Sequence, residues 1–196
     1  MSPSKTIIFT QANCIQSHIL RLMAEVKQGL EFTVMDIVEH AALADKVGIT
    51  KAPAIRDRYL ASSDLDILVE YFEEQHPEPA LLPANVASRA IYRSQIRTFH
   101  RDVFPLLTNA KAGSLEAQGK LTEALRSMDA MTQGHAFFAG SQVSVLDVTL
   151  APWLYAAQKA GMSLKSFPNL NAYATRMFNL PAFRATVDKE EASAAA

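Results

Sequence analysis

Three prolines fall within nine residues of the chain, in the stretch QHPEPALLP at positions 75–83. A proline ring fixes φ and removes a backbone donor, so no regular helix can continue through Pro77, Pro79 and Pro83. The residues on both sides of this stretch have helical periodicity of their own. We therefore predict two structural units joined by a stiff connector: an N-terminal domain at residues 1–76, a linker at 77–84 and a C-terminal domain at 85–196.

The segment before the linker mixes the patterns of strands and helices. The β-branched runs TIIFT (6–10) and EFTVMDI (31–37) are typical of strands, and apolar residues recur at helical spacing between them. The stretch APAIRDRYL (52–60) predicts two short strands around a charged turn, and LDILVEYFEE (65–74) predicts a helix. The expected order is βαβ-ββα, which is an α/β domain.

The segment after the linker is almost entirely helical in pattern. One predicted helix has an apolar face at spacings of three and four residues and a kink at Pro105; the face consists of Tyr92, Ile96, Phe99, Val103 and Leu106. Leu121, Leu125 and Met128 mark a second helix, and the capping box Ser144-x-x-Asp147 starts a third. Two more helices are expected after Pro168 and Pro181, with a frayed tail at residues 189–196.

Composition excludes several classes of protein. The 196 residues are 49% hydrophobic, and the formal net charge of -1 gives no general attraction to nucleic acid or to an anionic membrane. A single cysteine cannot form an internal disulfide, the opening MSPSKTIIFT has no secretory pattern, and no run approaches the roughly 20 apolar residues that span a bilayer. The five histidines have no metal-ligand spacing. We expect a cytoplasmic protein with no metal, no cofactor, no membrane contact and no direct nucleic-acid binding.

The order of these elements, with Ala52-Pro53-Ala54 before the third strand and the capping box at 144–147, resembles the glutathione transferase superfamily. That resemblance implies a thioredoxin-like α/β domain followed by an all-α domain. Three segments are similar to the stringent starvation protein A family, which consists of bacterial stress-response regulators associated with RNA polymerase: VEYFEEQHPEPALLP (69–83), SVLDVTLAPWL (144–154) and YATRMFNLPAF (173–183). SHILR (17–21) and the turn Asp57-Arg58 agree with this similarity.

The resemblance to the stringent starvation protein A family gives the linker a function. In that family an exposed Pro-x-Pro element, typically Pro-His-Pro, is implicated in contact with the transcription machinery, and here it corresponds to Pro77-Glu78-Pro79. The resemblance therefore implies a non-enzymatic regulator whose partner is RNA polymerase or an associated sigma factor. The simpler alternative is that these prolines only connect two domains.

A second function implied by the superfamily is that of a glutathione transferase or glutathione-dependent thiol transferase. Cys14 would be its nucleophile, in a C-x-x-S motif at the start of the first helix, where the helix dipole favours a thiolate. Ala52, with Pro53 as the superfamily's cis-proline, would bind the peptide part of glutathione as substrate, and Asp64 would supply the acidic group of an acidic-serine pair. Leu65 occupies the place of that serine and cannot donate its hydrogen bond, although Ser63 is one step away. A lone cysteine is also commonly a small buried hydrophobe.

Two helices carry charges at steps of four residues. Residues four apart on a helix differ in direction by only about 40° around its axis, so the charges on each helix form a stripe along one side. The acidic stripe consists of Asp66, Glu70 and Glu74, and the basic stripe consists of Arg89, Arg93, Arg97 and Arg101. In dimers of the resembling fold these two helices face their counterparts across a two-fold axis, which implies a homodimer, or a heterodimer with a related subunit, held by the two stripes. The alternatives are two solvated faces, or arginines that bind an acidic partner.

Overall fold

The protein is described by a computed structural model that covers residues 6–194, with side chains up to residue 187. Its residues separate into two compact units. The first contains the described residues up to Ala80 together with the last helix, and the second is Leu81–Leu180. The division between Ala80 and Leu81 falls inside the linker predicted at 77–84.

The first unit is built on a four-stranded sheet with the order β2-β1-β3-β4. The strands are β1 (Thr6–Thr10), β2 (Phe32–Asp36), β3 (Ala54–Arg56) and β4 (Ala61–Ser62). β1 runs parallel to β2 and antiparallel to β3, with Ile8 opposite Val34 and Ile55. Ile8 and Phe9 are fully buried because the central strand is covered on both faces. The predicted strands are present, although β4 lies just beyond the stretch 52–60.

Three helices of this unit come from its N-terminal part: α1 (Ile15–Val26), α2 (Ala41–Lys46) and α3 (Leu65–Gln75). α1 and α3 have the predicted apolar faces, with Ile19, Leu22 and Leu68 fully buried. The order βαβ-ββα left out α2, which has six residues and no side-chain hydrogen bond at its N-cap His40. A helix of that length is too short to show a period of 3.6 residues.

The second unit is helical. Its elements are α4 (Val86–Thr98), a π-helical turn (Phe99–Val103), α5 (Phe104–Lys111), α6 (Leu115–Thr132), α7 (Val145–Lys159) and α8 (Pro168–Phe178). The continuous helix expected around Tyr92–Leu106 is interrupted by the π-helical turn rather than by a kink at Pro105, which lies in the first turn of α5 where a missing N–H costs nothing. Trp153 and Tyr173 are fully buried in its core.

The last helix, α9 (Pro181–Ala194), belongs to the first unit. Its Phe183 ring lies 5.0 Å from the His18 ring of α1, and the Thr186 hydroxyl lies 2.7 Å from His18 Nε2. These buried contacts explain the difference from the domain boundaries set by the sequence, which placed residues 181–196 with the other C-terminal helices. The tail expected to fray from 189 is helical as far as Ala194, and residues 195–196 lie outside the described residues.

Candidate functional site

Cys14 is the N-cap residue of α1 and is partly exposed. Its Sγ lies 3.5 Å from the backbone N–H of Ser17, which points toward the sulfur from the first turn of the helix. Ser17 itself is fully buried, and its Oγ accepts a hydrogen bond of 3.1 Å from the Gln11 amide. In this C-x-x-S motif the serine therefore fixes the loop before α1, while the thiol remains available to solvent.

The peptide bond between Ala52 and Pro53 is cis, as the resemblance implies. Ala52 borders a cavity of about 430 Å³ in the first unit. The other residues that line it come from the ends of β1 and β2, from α2 and from the segment before Pro53: Gln11, Ile37, Val38, Ala41, Ala44, Asp45, Ile49, Thr50 and Lys51. Of the sequence-predicted glutathione contacts, only Ala52 is among these residues.

Asp64 is the N-cap residue of α3, and its carboxylate is already engaged. Oδ1 accepts hydrogen bonds from the amides of Asp66 at 3.1 Å and Ile67 at 3.3 Å. These are the donors that a helix N-terminus would otherwise offer to an incoming anion. Leu65 is buried and offers no hydroxyl, and Asp66 adds a second carboxylate to the same turn. The start of α3 thus carries two carboxylates and has no hydroxyl at position 65 to donate to a ligand carboxylate.

The linker residues Pro77 and Glu78 are exposed, and the backbone around them is anchored to the end of α1. Lys27, the C-cap residue of α1, donates from Nζ to the carbonyl of Pro79 at 2.9 Å. The Gln28 amide donates to the carbonyl of Glu78 at 3.0 Å. The Glu78–Pro79 peptide bond is cis. Two hydrogen bonds therefore hold the Pro-x-Pro element in a single position against the first unit.

Lys27 can make this contact because its charge is neutralised in the interior. Its side chain is fully buried, and Nζ lies 2.5 Å from Oε2 of Glu73, which is itself 8% exposed. A buried ammonium is tolerated only when it is paired and hydrogen-bonded, and here both conditions hold. No sequence pattern predicts this pair, because its two members are separated by 46 residues and neither belongs to a recognisable motif.

Asp57 organises the turn between β3 and β4. Its Oδ1 accepts from the amides of Tyr59 at 2.7 Å and Leu60 at 2.8 Å, and its Oδ2 accepts from the Tyr71 hydroxyl at 2.5 Å. Burial, followed by the hydrogen bond to Asp57, raises the pKa of Tyr71 to about 12. The charged turn predicted from Arg56-Asp57-Arg58 is thus tied to α3.

The acidic stripe lies on α3 in the first unit, and the basic stripe begins on α4 in the second unit. Asp66 and Glu74 are exposed, as are Arg93 and Arg97. Arg89 is half-buried and donates from Nε to the carbonyl of Pro83 at 2.8 Å. This hydrogen bond holds the part of the linker that belongs to the second unit. Arg101, the last arginine of the predicted basic stripe, lies in the π-helical turn rather than in α4 and pairs with its neighbour Asp102.

Two negative findings concern metals and membranes. Among residues 6–187, no group of three or more histidine, cysteine or acidic side chains is arranged to hold a metal ion. None of the helices in the described part of the chain is both long and apolar enough to cross a bilayer.

Comparison with known proteins agrees with this architecture. Residues 85–181 match the glutathione S-transferase C-terminal domain family. Glutathione transferase Omega 3C from Trametes versicolor superposes with a TM-score of 0.80 at 22% sequence identity, covering 94% of this chain and 90% of that one. This chain has the glutathione S-transferase fold. The fold implied by the sequence resemblance is therefore confirmed.

Two groups of relatives share similar levels of identity with this glutathione S-transferase-fold protein. A probable maleylacetoacetate isomerase from Caenorhabditis elegans is 25% identical over 200 residues, covering 93% of each chain. A stringent starvation protein A homolog from Haemophilus ducreyi is 23% identical over 190 residues, covering 92% of this chain and 88% of that protein. Sequence identity does not separate these two groups of relatives, so the choice between their functions depends on the site.

Proposed function

We propose that this protein is a non-enzymatic transcription regulator of the stringent starvation protein A type, which acts through protein contacts with RNA polymerase or an associated sigma factor. The observation that carries the proposal is the exposed Pro77-Glu78 element, whose backbone is fixed by Lys27 and by the Gln28 amide. A loop that is already ordered loses little conformational entropy on docking, which makes it an efficient recognition element.

The start of α3 supports a regulator rather than a glutathione-using enzyme. A bound γ-glutamyl carboxylate would compete with Asp64 for the amides of Asp66 and Ile67. Without a serine hydroxyl at position 65, one charge-assisted hydrogen bond is also lost, which weakens binding by about 1.5–3 kcal/mol, or roughly ten- to a hundredfold.

The proposal is tested by the affinity of the full chain for purified bacterial RNA polymerase, core enzyme and holoenzyme, measured by biolayer interferometry. Replacing Pro77 and Pro79 by alanine is expected to weaken binding by about tenfold, as loss of an interface anchor does. Pro105→Ala is the matched control, because Pro105 is an exposed proline in the first turn of α5. Absence of binding by the wild type, or equal binding by the linker variant and the control, would contradict the proposal.

A second candidate function is a glutathione-dependent isomerase or thiol transferase. It is favoured by the partly exposed Cys14 at the start of α1, by Ala52 beside the cavity and by the relatives named maleylacetoacetate isomerase. Titration calorimetry with reduced glutathione distinguishes the two functions. Binding tighter than about 1 mM that is weakened by Cys14→Ala would establish the enzyme, and Cys14→Ser should then abolish thiol transfer. The absence of heat from glutathione would leave the fold as a scaffold for protein contacts.

A further inference from the structure

The turn between β3 and β4 presents two exposed side chains on a rigid support. Asp57 accepts from the amides of Tyr59 and Leu60, its own N–H donates to the Leu60 carbonyl at 3.0 Å, and Tyr71 anchors the same carboxylate to α3. The conformation of the turn is therefore set before any partner arrives. A preordered turn loses little entropy on binding.

The side chains at the tip are of the types that dominate protein interfaces. Tyr59 is 72% exposed, and the guanidinium carbon of Arg58 lies 5.5 Å from the centroid of its ring. Tyrosine and arginine are enriched among the residues that contribute most to binding energy, because they combine a large contact area with directed hydrogen bonds. An aromatic ring this exposed contributes little to the stability of the first unit.

The turn is connected to the linker through α3. Tyr71, which holds Asp57, precedes His76 by five residues on α3, a rise of about 7.5 Å along the helix axis. His76 caps α3 and is followed directly by Pro77. Burial lowers the pKa of His76, the charge of Lys27 lowers it further and the charge of Asp57 opposes them, which agrees with both groups being close to its ring.

We infer that Arg58 and Tyr59 extend the Pro77-Glu78 element into one recognition surface for a folded protein, which presents a carboxylate to Arg58 and a cation to Glu78. The inference rests on the proposed function and specifies the partner surface. The arginine and the glutamate require opposite charges on the partner, and proteins commonly present both signs side by side. A nucleic acid is disfavoured because the exposed carboxylates of Glu74 and Glu78 repel a phosphate backbone.

The test uses the full chain with bacterial RNA polymerase holoenzyme as the probe. Tyr59→Ala and Arg58→Glu are each expected to weaken binding by about tenfold, and Tyr59→Phe, which keeps the ring, should bind within about twofold of the wild type. Arg126→Glu is the matched control for charge, because Arg126 is an exposed arginine on α6 in the second unit. Arg58→Glu should also reduce the dependence of the association rate on salt.

The outcomes separate this inference from the proposed function. If the wild type fails to bind the polymerase, the proposed function is overturned and this inference falls with it. If the linker variant loses binding while Tyr59→Ala and Arg58→Glu bind like Arg126→Glu, the proposed function stands and this inference is wrong. Tyr59-dependent binding of single-stranded RNA, with unchanged polymerase affinity, would also overturn the choice of a protein partner.

Discussion

Asp147 is a buried carboxylate at the start of α7 that accepts three hydrogen bonds. Its Oδ1 accepts from the Phe138 amide at 2.7 Å, and its Oδ2 accepts from the amide and hydroxyl of Ser144 at 2.8 and 2.7 Å. Asp147→Ala would leave two buried amides unpaired, each costing about 1–3 kcal/mol, so we expect a loss of about 3 kcal/mol in the free energy of unfolding. Urea denaturation measures this loss of stability. The control Glu116→Ala removes an exposed carboxylate of α6 and should change the free energy of unfolding little.

The pH dependence of stability provides a second test of Asp147. Burial raises its pKa, against the opposing effect of the three hydrogen bonds. The folded state therefore holds a proton at pH values where the unfolded chain has released it, and ionisation of Asp147 reduces stability as the pH rises through this interval. The stability advantage of the wild type over Asp147→Asn should be largest below the ordinary carboxyl pKa and should narrow as the pH rises. An advantage that widens with pH would contradict the buried environment.

Tyr71 provides a prediction in the alkaline range. Its pKa is raised to about 12, so the folded state favours the protonated phenol more than the unfolded state does. Its contribution to stability is full below the ordinary tyrosine pKa of about 10 and is lost as the pH rises toward 12. Burial also raises the pKa values of Tyr92 and Tyr173, so spectrophotometric titration of the phenolate band should show several tyrosines that ionise late in the wild type. The amplitude of this late phase should fall by one tyrosine in Tyr71→Phe, and an unchanged amplitude would contradict the bond from Tyr71 to Asp57.

Residue roles were predictable from the sequence when the interaction was local. The capping box of Ser144 and Asp147 spans three residues, and the N-cap position of Cys14 follows from its place before an apolar helical face. The pair of Lys27 and Glu73 and the bond from Tyr71 to Asp57 join distant parts of the chain. Only the folded backbone brings these groups together, and no local pattern encodes them.

At the scale of elements, the linker depends on the buried pair of Lys27 and Glu73. Lys27→Met would remove the ammonium that is paired with the buried Glu73 carboxylate, and we expect a loss of about 3–5 kcal/mol in the free energy of unfolding. The double variant Lys27→Met/Glu73→Met removes both charges and should recover most of that stability. It still lacks the bond to the Pro79 carbonyl, so the Gln28 amide, which donates to Glu78, should exchange its hydrogen faster than in the wild type.

Hydrogen–deuterium exchange and urea denaturation of these variants separate the two roles of Lys27. Recovered stability with fast exchange at Gln28 is the expected result, because packing replaces the ion pair but does not replace the bond to the linker. Wild-type exchange in the double variant would mean that Lys27 only neutralises Glu73 and does not position the linker. The Lys27→Arg variant keeps the charge and should retain part of the anchoring.

The elements that the sequence did not predict are those without a strong local period. Helix α2 is too short to show a helical period. The π-helical turn at Phe99–Val103 inserts one extra residue, but the spacing of the apolar residues still predicts a single helix. The assignment of α9 to the first unit also has a non-local cause. Its Phe183 and Thr186 contact His18 of α1, which is more than 160 residues earlier in the chain.

At the scale of the whole molecule, the proline cluster predicts a division at 77–84, and one boundary between the two units, Ala80/Leu81, falls there. The second boundary, Leu180/Pro181, was not predicted, because it depends on the contacts of α9 with α1. Proline acts through its own φ and its own missing N–H, so its effect does not depend on distant contacts. The association of two copies of the chain cannot be predicted in this way, because one chain contributes only half of each contact between them. The stripes on α3 and α4 therefore remain a prediction about a second copy of the chain.

The exposed apolar residues on these helices favour a dimer over two solvated faces. Ile67 on α3 is 52% exposed, and Val86 and Ile91 on α4 are 79% and 56% exposed. Exposed ion pairs contribute only about 0–1 kcal/mol each, so the apolar residues would provide most of the affinity and the charges would set the register. A two-fold axis repeats every contact, which means that one substitution removes two ion pairs.

We expect the wild type to sediment as a dimer and Arg97→Glu to weaken the dimer by about tenfold, since the loss of two pairs amounts to about 1–2 kcal/mol. The effect should shrink in 0.5 M salt, because salt screens exposed charges over about a Debye length. Sedimentation equilibrium over a concentration series measures both quantities, and Arg126→Glu on α6 makes the same change of charge away from the stripes. If the wild type is a dimer and Arg97→Glu dimerises as tightly as Arg126→Glu, the basic stripe is a solvated face and the apolar residues alone hold the two copies together.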